Sequence, residues 1–85
     1  MPLTFPHVQA WDAAKQVVAF PADNEKVKTR CAISWEALQD DYGCGQSDPQ
    51  TYFQQNRAAI EATAAELIRR KRYEADGSIM IRSGD

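Results

Sequence analysis

The chain is poor in the residue types on which most enzyme chemistry depends. It holds one histidine, His7, and two cysteines, Cys31 and Cys44. Neither cysteine belongs to a CxxC pair, and two are too few for a disulfide framework, so both read as reduced thiols. There is no GxSxG, no HExxH, no glycine-rich phosphate loop and no strand-linked GxGxxG. Long apolar runs are missing as well: none approaches the roughly 20 residues that span a bilayer. The N-terminus lacks the basic start and apolar stretch of a signal peptide, which leads to the expectation of a cytoplasmic protein with no membrane partner. Excess positive charge is the last absence. With a net charge of −2 there is no general cationic field, so any attraction to nucleic acid or anionic lipid has to be local.

What is present is enough apolar material for one modest core, 44% of 85 residues, and the expectation is a single domain over residues 1–85. No internal repeat, low-complexity stretch or linker divides it. The organising element is Asp48 to Tyr73, which reads as one long amphipathic helix. Asp48 can cap the first turn and Pro49 sits at N1, where its missing N–H costs nothing. The interior is rich in Ala, Glu and Leu, with no Gly or Pro until Gly77. At about 100° per residue Phe53, Ile60, Ala64, Leu67 and Ile68 form one stripe. Arg57 falls near its middle, where a charge has to find an acceptor or snorkel outward, and it reads as a structural anchor.

Ahead of this helix the pattern has period two. Leu3 and Phe5 alternate between prolines, which limits Met1 to Pro6 to an edge or an extended arm. His7 to Trp11 and Gln16 to Ala22 read as two strands joined by a polar turn at residues 12–15. The second is apolar on both faces, Val18 and Phe20 on one and Val17 and Ala19 on the other, which fits a central or partner-covered position. Pro21 places the far end of that strand at an edge or out of the ladder. Lys26 to Ser34 alternates most clearly: Val27, Thr29, Cys31 and Ile33 point inward, Lys26, Lys28, Arg30 and Ala32 outward. Ser34 then caps a short helix from Trp35, with Trp35, Leu38 and Tyr42 on its buried side and Gly43 as its stop. Asp40 and Asp41 sit unfavourably at the negative end of that helix. Ala75-Asp76-Gly77 is a turn, and Ser78 to Arg82 is a last strand. The expected fold is a two-layer α+β arrangement in the order β-β-β-α-α-β, with an antiparallel sheet of three N-terminal strands plus the C-terminal one. Phe53, Ile60, Leu67 and Ile68 should bury against Val27, Cys31, Ile33 and the Val18/Phe20 face.

Trp11-Asp12, Val18 and Phe20, Cys31-Ala32-Ile33-Ser34 with Leu38 following, then Phe53, Arg57, Ile60, Glu61 and the Gly77 turn resemble a family of small bacterial proteins known as domain of unknown function 1488. The likeness covers nearly the whole chain and implies an α+β fold with an antiparallel sheet and helices. It carries no activity, substrate or catalytic residue that could be transferred. Trp35 and Cys44 stand apart from the resemblance.

The remaining chemistry is thin. A Cys44–His7 nucleophile pair requires the fold to bring the two together, and a cysteine between glycines is ordinarily a loop residue. Cys31, Cys44 and His7 lack the close spacing of zinc ligands. The acids Asp40, Asp41, Glu74 and Asp76 read as solvated, and Glu66 with Arg70 as helix support. No catalytic, cofactor or metal residue is therefore assigned. The strongest surface signal is basic: Lys26, Lys28 and Arg30 along one strand, and Arg69, Arg70 and Arg72, with Lys71, at the end of the long helix. Lys71 apart, these six residues are the candidate contacts for a partner or an anion; as plain structure, cations blunt a sheet surface and suit a helix C-terminus. The expectation is a small non-enzymatic binding or adaptor protein, with a protein partner or self-association. The alternative is a regulator touching nucleic acid through those basic groups if they share one surface, and a cysteine-dependent enzyme is the more distant third.

Overall fold

The computed structural model describes residues 3–24, 27–42 and 48–84. The elements follow in the order β1 (Ala10–Asp12), β2 (Val17–Asn24), β3 (Val27–Ser34), α1 (Trp35–Tyr42), α2 (Pro49–Gln55), α3 (Arg57–Arg69) and β4 (Ile79–Ile81). The four strands form one sheet in sequential order β1-β2-β3-β4. The α+β reading therefore holds, with three N-terminal strands and a C-terminal one beneath helices.

Two short connections make β1, β2 and β3 antiparallel, with Trp11 opposite Val18 and Phe20 opposite Cys31. The first turn is held by Asp12, whose carboxylate accepts from the N–H groups of Ala14 at 3.0 Å and Lys15 at 3.2 Å. β1 is shorter than the His7 to Trp11 expectation. Ahead of it, Thr4 bridges Asp23 through two backbone hydrogen bonds of 2.8 Å. Asp23 donates toward Thr4, so Pro21, two residues earlier, has its missing donor on the same side, where the β1 ladder has already ended. A proline inside an eight-residue strand is thus tolerated.

β4 corrects the expectation of a purely antiparallel sheet. It runs parallel to β3, Cys31 opposite Ile79 and Ile33 opposite Ile81. The helices between β3 and β4 form a crossover that returns the chain to the starting end of β3, and a crossover of this length delivers a parallel neighbour. The sheet is mixed.

The long helix is also corrected, because it is two helices. Asp48 caps α2 as expected, accepting from the Thr51 N–H at 3.2 Å. At Asn56 the backbone leaves helical geometry (φ −114°, ψ 17°) and the side-chain amide donates to the Tyr52 carbonyl at 3.0 Å. Asn competes for local backbone acceptors in this way, which is why it interrupts a helix that the apolar stripe alone would continue. α3 stops at Arg69, short of Tyr73. The N–H of Arg72 bonds the Leu67 carbonyl at 2.9 Å and that of Lys71 the Ile68 carbonyl at 3.0 Å, with Lys71 left-handed at φ 56°. This is a Schellman ending with lysine where glycine is usual.

The core lies between the helices and one face of the sheet. Val18, Phe20 and Ala22 of β2, Cys31 and Ile33 of β3 and both isoleucines of β4 meet Leu38 of α1, Phe53 of α2 and Ile60, Ala64 and Leu67 of α3. Phe20 and Phe53 rings stand 5.0 Å apart, and Trp11 meets Trp35 edge-on at 6.1 Å. Ser34 caps α1 through the Ala37 N–H at 3.1 Å. Two expected core members differ: Val27, at the start of β3, is 59% exposed, and Ile68 is only partly buried. The Tyr42 side chain and Gly43 fall outside the described residues.

Candidate functional site

The described helices all pack on one side of the sheet, and among the described residues no second layer covers its other face. Strand alternation puts Ala10 and Asp12 of β1, Val17, Ala19 and Pro21 of β2, Lys28, Arg30 and Ala32 of β3, and Met80 of β4 on that outer face. Its centre is apolar. Val17, Ala19, Ala32 and Met80 line an open cleft of about 520 Å³. Asp12 and Lys15 stand at one end, and Arg30, Glu74, Asp76 and Ser78 at the other. A smaller hollow of about 220 Å³, lined by Val8, Ala10, Ala19 and Pro21 among others, adjoins it and shares Ala19 and Arg30. Val8 is 62% exposed.

The charged end of the cleft is ordered by the segment leading into β4. Arg82 donates to both oxygens of Glu74, at 2.9 and 2.7 Å, and holds that carboxyl below its ordinary pKa. Asp76 accepts from the Ser78 hydroxyl at 2.6 Å and its N–H at 3.0 Å, which lowers its pKa, with a smaller contribution from Arg30. Arg30 reaches Asp76 only at 3.8 Å, and both are largely exposed, so the pair is weak.

The basic candidates do not gather. Lys28 and Arg30 belong to the outer face, whereas Arg69, Arg70 and Arg72 end the helical layer that packs on the inner face. Glu66 engages both Arg69 and Arg70, each at 2.8 Å. Lys26 lies outside the described residues, as does Cys44. Cys31 faces inward, 2% exposed, and burial pushes its thiol up to about 12, so at neutral pH it is a protonated core residue. Among the described residues no group of three His, Cys, Asp or Glu is placed to hold a metal ion. Likewise no helix among them is long and apolar enough to cross a membrane.

Arg57 sits at the start of α3 with its side chain 11% exposed. Its guanidinium donates to Glu61 Oε2 at 3.1 Å and to Gln9 Oε1, and lies over the Phe53 ring at 4.9 Å. The contact with Gln9 ties the segment before β1 to the helical layer. Asp40 and Asp41 find no cation among the described residues; they accept from the Ser83 hydroxyl at 2.9 Å and the Gly84 N–H at 3.1 Å.

Sequence reasoning centred on cations did not pick out the apolar cleft. A signal was present in the two-sided apolar pattern of β2 and in Ala32 among the cations of β3, but the position of Met80 beside Ala32 depends on where β4 joins the sheet.

Comparison with known proteins agrees with this architecture. A crystal structure of a protein of unknown function from the DUF1488 family of Shewanella loihica PV-4 superposes with a TM-score of 0.85, over 98% of this chain and 94% of that one, at 22% identity. That likeness shows the fold. No curated protein matches the chain. Residues 3–81 match the family described as protein of unknown function (DUF1488), and the chain belongs to that family.

Proposed function

We propose that the chain is a small, non-enzymatic, cytoplasmic binding or adaptor protein, and that the uncovered outer face of its sheet is the surface it offers to a protein. One observation carries the reading. A sheet covered on one side ordinarily turns polar side chains to water on the other, yet the middle of this face presents Ala19, Ala32 and Met80, beside a Val17 that is itself buried, around an open cleft. A mixed rim of Asp12, Lys15, Arg30, Glu74 and Asp76 surrounds it, the apolar-centre and polar-rim pattern of contact surfaces. Arg57 serves as a structural anchor between α3, α2 and the segment before β1, because its guanidinium, 11% exposed at the side chain, holds Glu61 and Gln9 and lies over the Phe53 ring.

The nucleic-acid reading draws less support because the strand cations and the helix-end cations lie on different faces of the sheet, and two of the latter share Glu66. A cysteine-dependent enzyme would have to rest on Cys44, since Cys31 is buried and protonated. The test is capture from native extract by the wild-type chain and by Ala32→Arg, with protein and nucleic acid both analysed. Nuclease-resistant capture of a protein that Ala32→Arg abolishes supports the proposal. Recovery of nucleic acid, weakening steeply with salt and indifferent to Ala32→Arg, would transfer the case to the alternative.

A further inference from the structure

We propose that the outer sheet face is the interface of a symmetric homodimer, the cleft of one copy being closed by the same face of a second. This rests on the reading of that face as a contact surface and names its occupant. A two-fold interface is isologous, so the patch has to be complementary to itself. The charges at the two ends of the cleft have that property. Asp12 and Lys15 stand where the β1–β2 turn feeds Val17, which pairs with Ser34 at the end of β3. Arg30, Glu74 and Asp76 stand at the diagonally opposite corner, where the chain enters β4. Along β3 the corners are separated by the run from Ser34 back to Arg30, about 13 Å of strand.

A two-fold axis lying in the interface, at right angles to that diagonal, exchanges the corners. It sets Lys15 of each copy against Glu74 and Asp76 of the other, and Asp12 against Arg30. Ala19 and Ala32 lie between the corners, near the axis, and with nothing beyond Cβ they let the two sheets close together. Strands of the two copies then cross steeply, the orthogonal class of face-to-face sheet packing. A stable dimer needs about 800 Å² from each partner, roughly a seventh of the 5374 Å² that one copy exposes.

Sedimentation equilibrium of the full chain, over a range of concentrations and at low and high salt, tests this. The expected result is a dimer that dissociates more readily as salt rises, because its corner pairs are peripheral and screened. Ala32→Arg should give a monomer with an unchanged far-UV spectrum. Should that variant fail to fold, Lys15→Glu, in an exposed turn, keeps the test: it should weaken the dimer at least tenfold, and adding Glu74→Lys should recover most of the loss. A wild-type chain monomeric at several hundred micromolar overturns the proposal, as does a dimer whose dissociation constant neither Ala32→Arg nor Lys15→Glu moves. A monomer leaves the capture experiment to decide the binding reading on its own, so the two failures are distinguishable.

Discussion

Replacing Arg57 with methionine isolates what the guanidinium contributes, because Met retains most of the aliphatic stem and its packing. The substitution removes a donor to Glu61, a donor to Gln9 and a cation over the Phe53 ring. A hydrogen bond between charged groups is worth about 1.5–3 kcal/mol, and a partly desolvated cation–π contact about 1 kcal/mol. Glu61 keeps 18% of its side-chain surface in water, so it can recover part of its solvation once its partner is gone. That argues for a loss below the 3–5 kcal/mol of a fully buried pair broken on one side, and about 2–3 kcal/mol is expected. In a domain of this size each kcal/mol moves the midpoint by about 4–8 °C, so Tm should fall by roughly 8–24 °C. Thermal unfolding followed by far-UV circular dichroism reads this directly, and a double-mutant cycle with Glu61→Gln gives the pair's share. A midpoint within about 2 °C of wild type would refute the anchoring argument, and an unchanged midpoint joined to lost partner binding would make Arg57 a contact residue.

Leu67→Ala, at the contact of α3 with the sheet, should cost about 2–5 kcal/mol by urea unfolding, and a loss below about 1 kcal/mol would show that the site collapses or is not core. Lys71→Gly should stabilise by about 0.5–1 kcal/mol, since glycine accepts the left-handed φ that lysine adopts under strain; a destabilised variant would mean that the lysine side chain outweighs that strain. With Cys44 replaced by serine, thiol labelling of the native protein should be slow and should become fast only on unfolding, because Cys31 is buried and its thiol stays protonated. The depressed pKa values of Glu74 and Asp76 contribute stability that is present above their ordinary values, 4.5 and 3.8, and is lost as pH falls through the lower folded values. Glu74→Gln should accordingly flatten part of the acid limb of the stability profile, and an identical limb would show that the Arg82 pair contributes nothing.

Local chemistry was legible residue by residue. Asp48 and Ser34 are caps because a short oxygen-bearing side chain before a helix has orphan N–H groups within reach, wherever the helix later packs. Cys31 and Ile33 face inward while Lys28 and Arg30 face out because a strand has period two. The break at Asn56 was harder to read, since an asparagine can sit in a helix or interrupt it with equal local sense, and the apolar stripe continues across it. Arg57 announced itself as a charge in an apolar stripe, but Gln9, one of its acceptors, is 48 residues away in the chain. No periodicity connects them.

The sequence by itself determined the strands, the caps at Ser34 and Asp48 and the inward parity of Cys31 and Ile33, because these follow from forces acting within a few residues, though not the division of the long helix at Asn56. Tertiary structure alone decided the direction of β4, the separation of the two basic groups and the existence of the outer cleft. Each depends on which strand the chain rejoins after its helices, and that choice is made by burying Ile79 and Ile81 beside Cys31 and Ile33. Once β4 lies parallel to β3 and the described helices pack on one side, Met80 lands beside Ala32 on the open face and Arg30 meets Asp76 at its rim. A long-range burial, not a local preference, thus assembles the candidate surface.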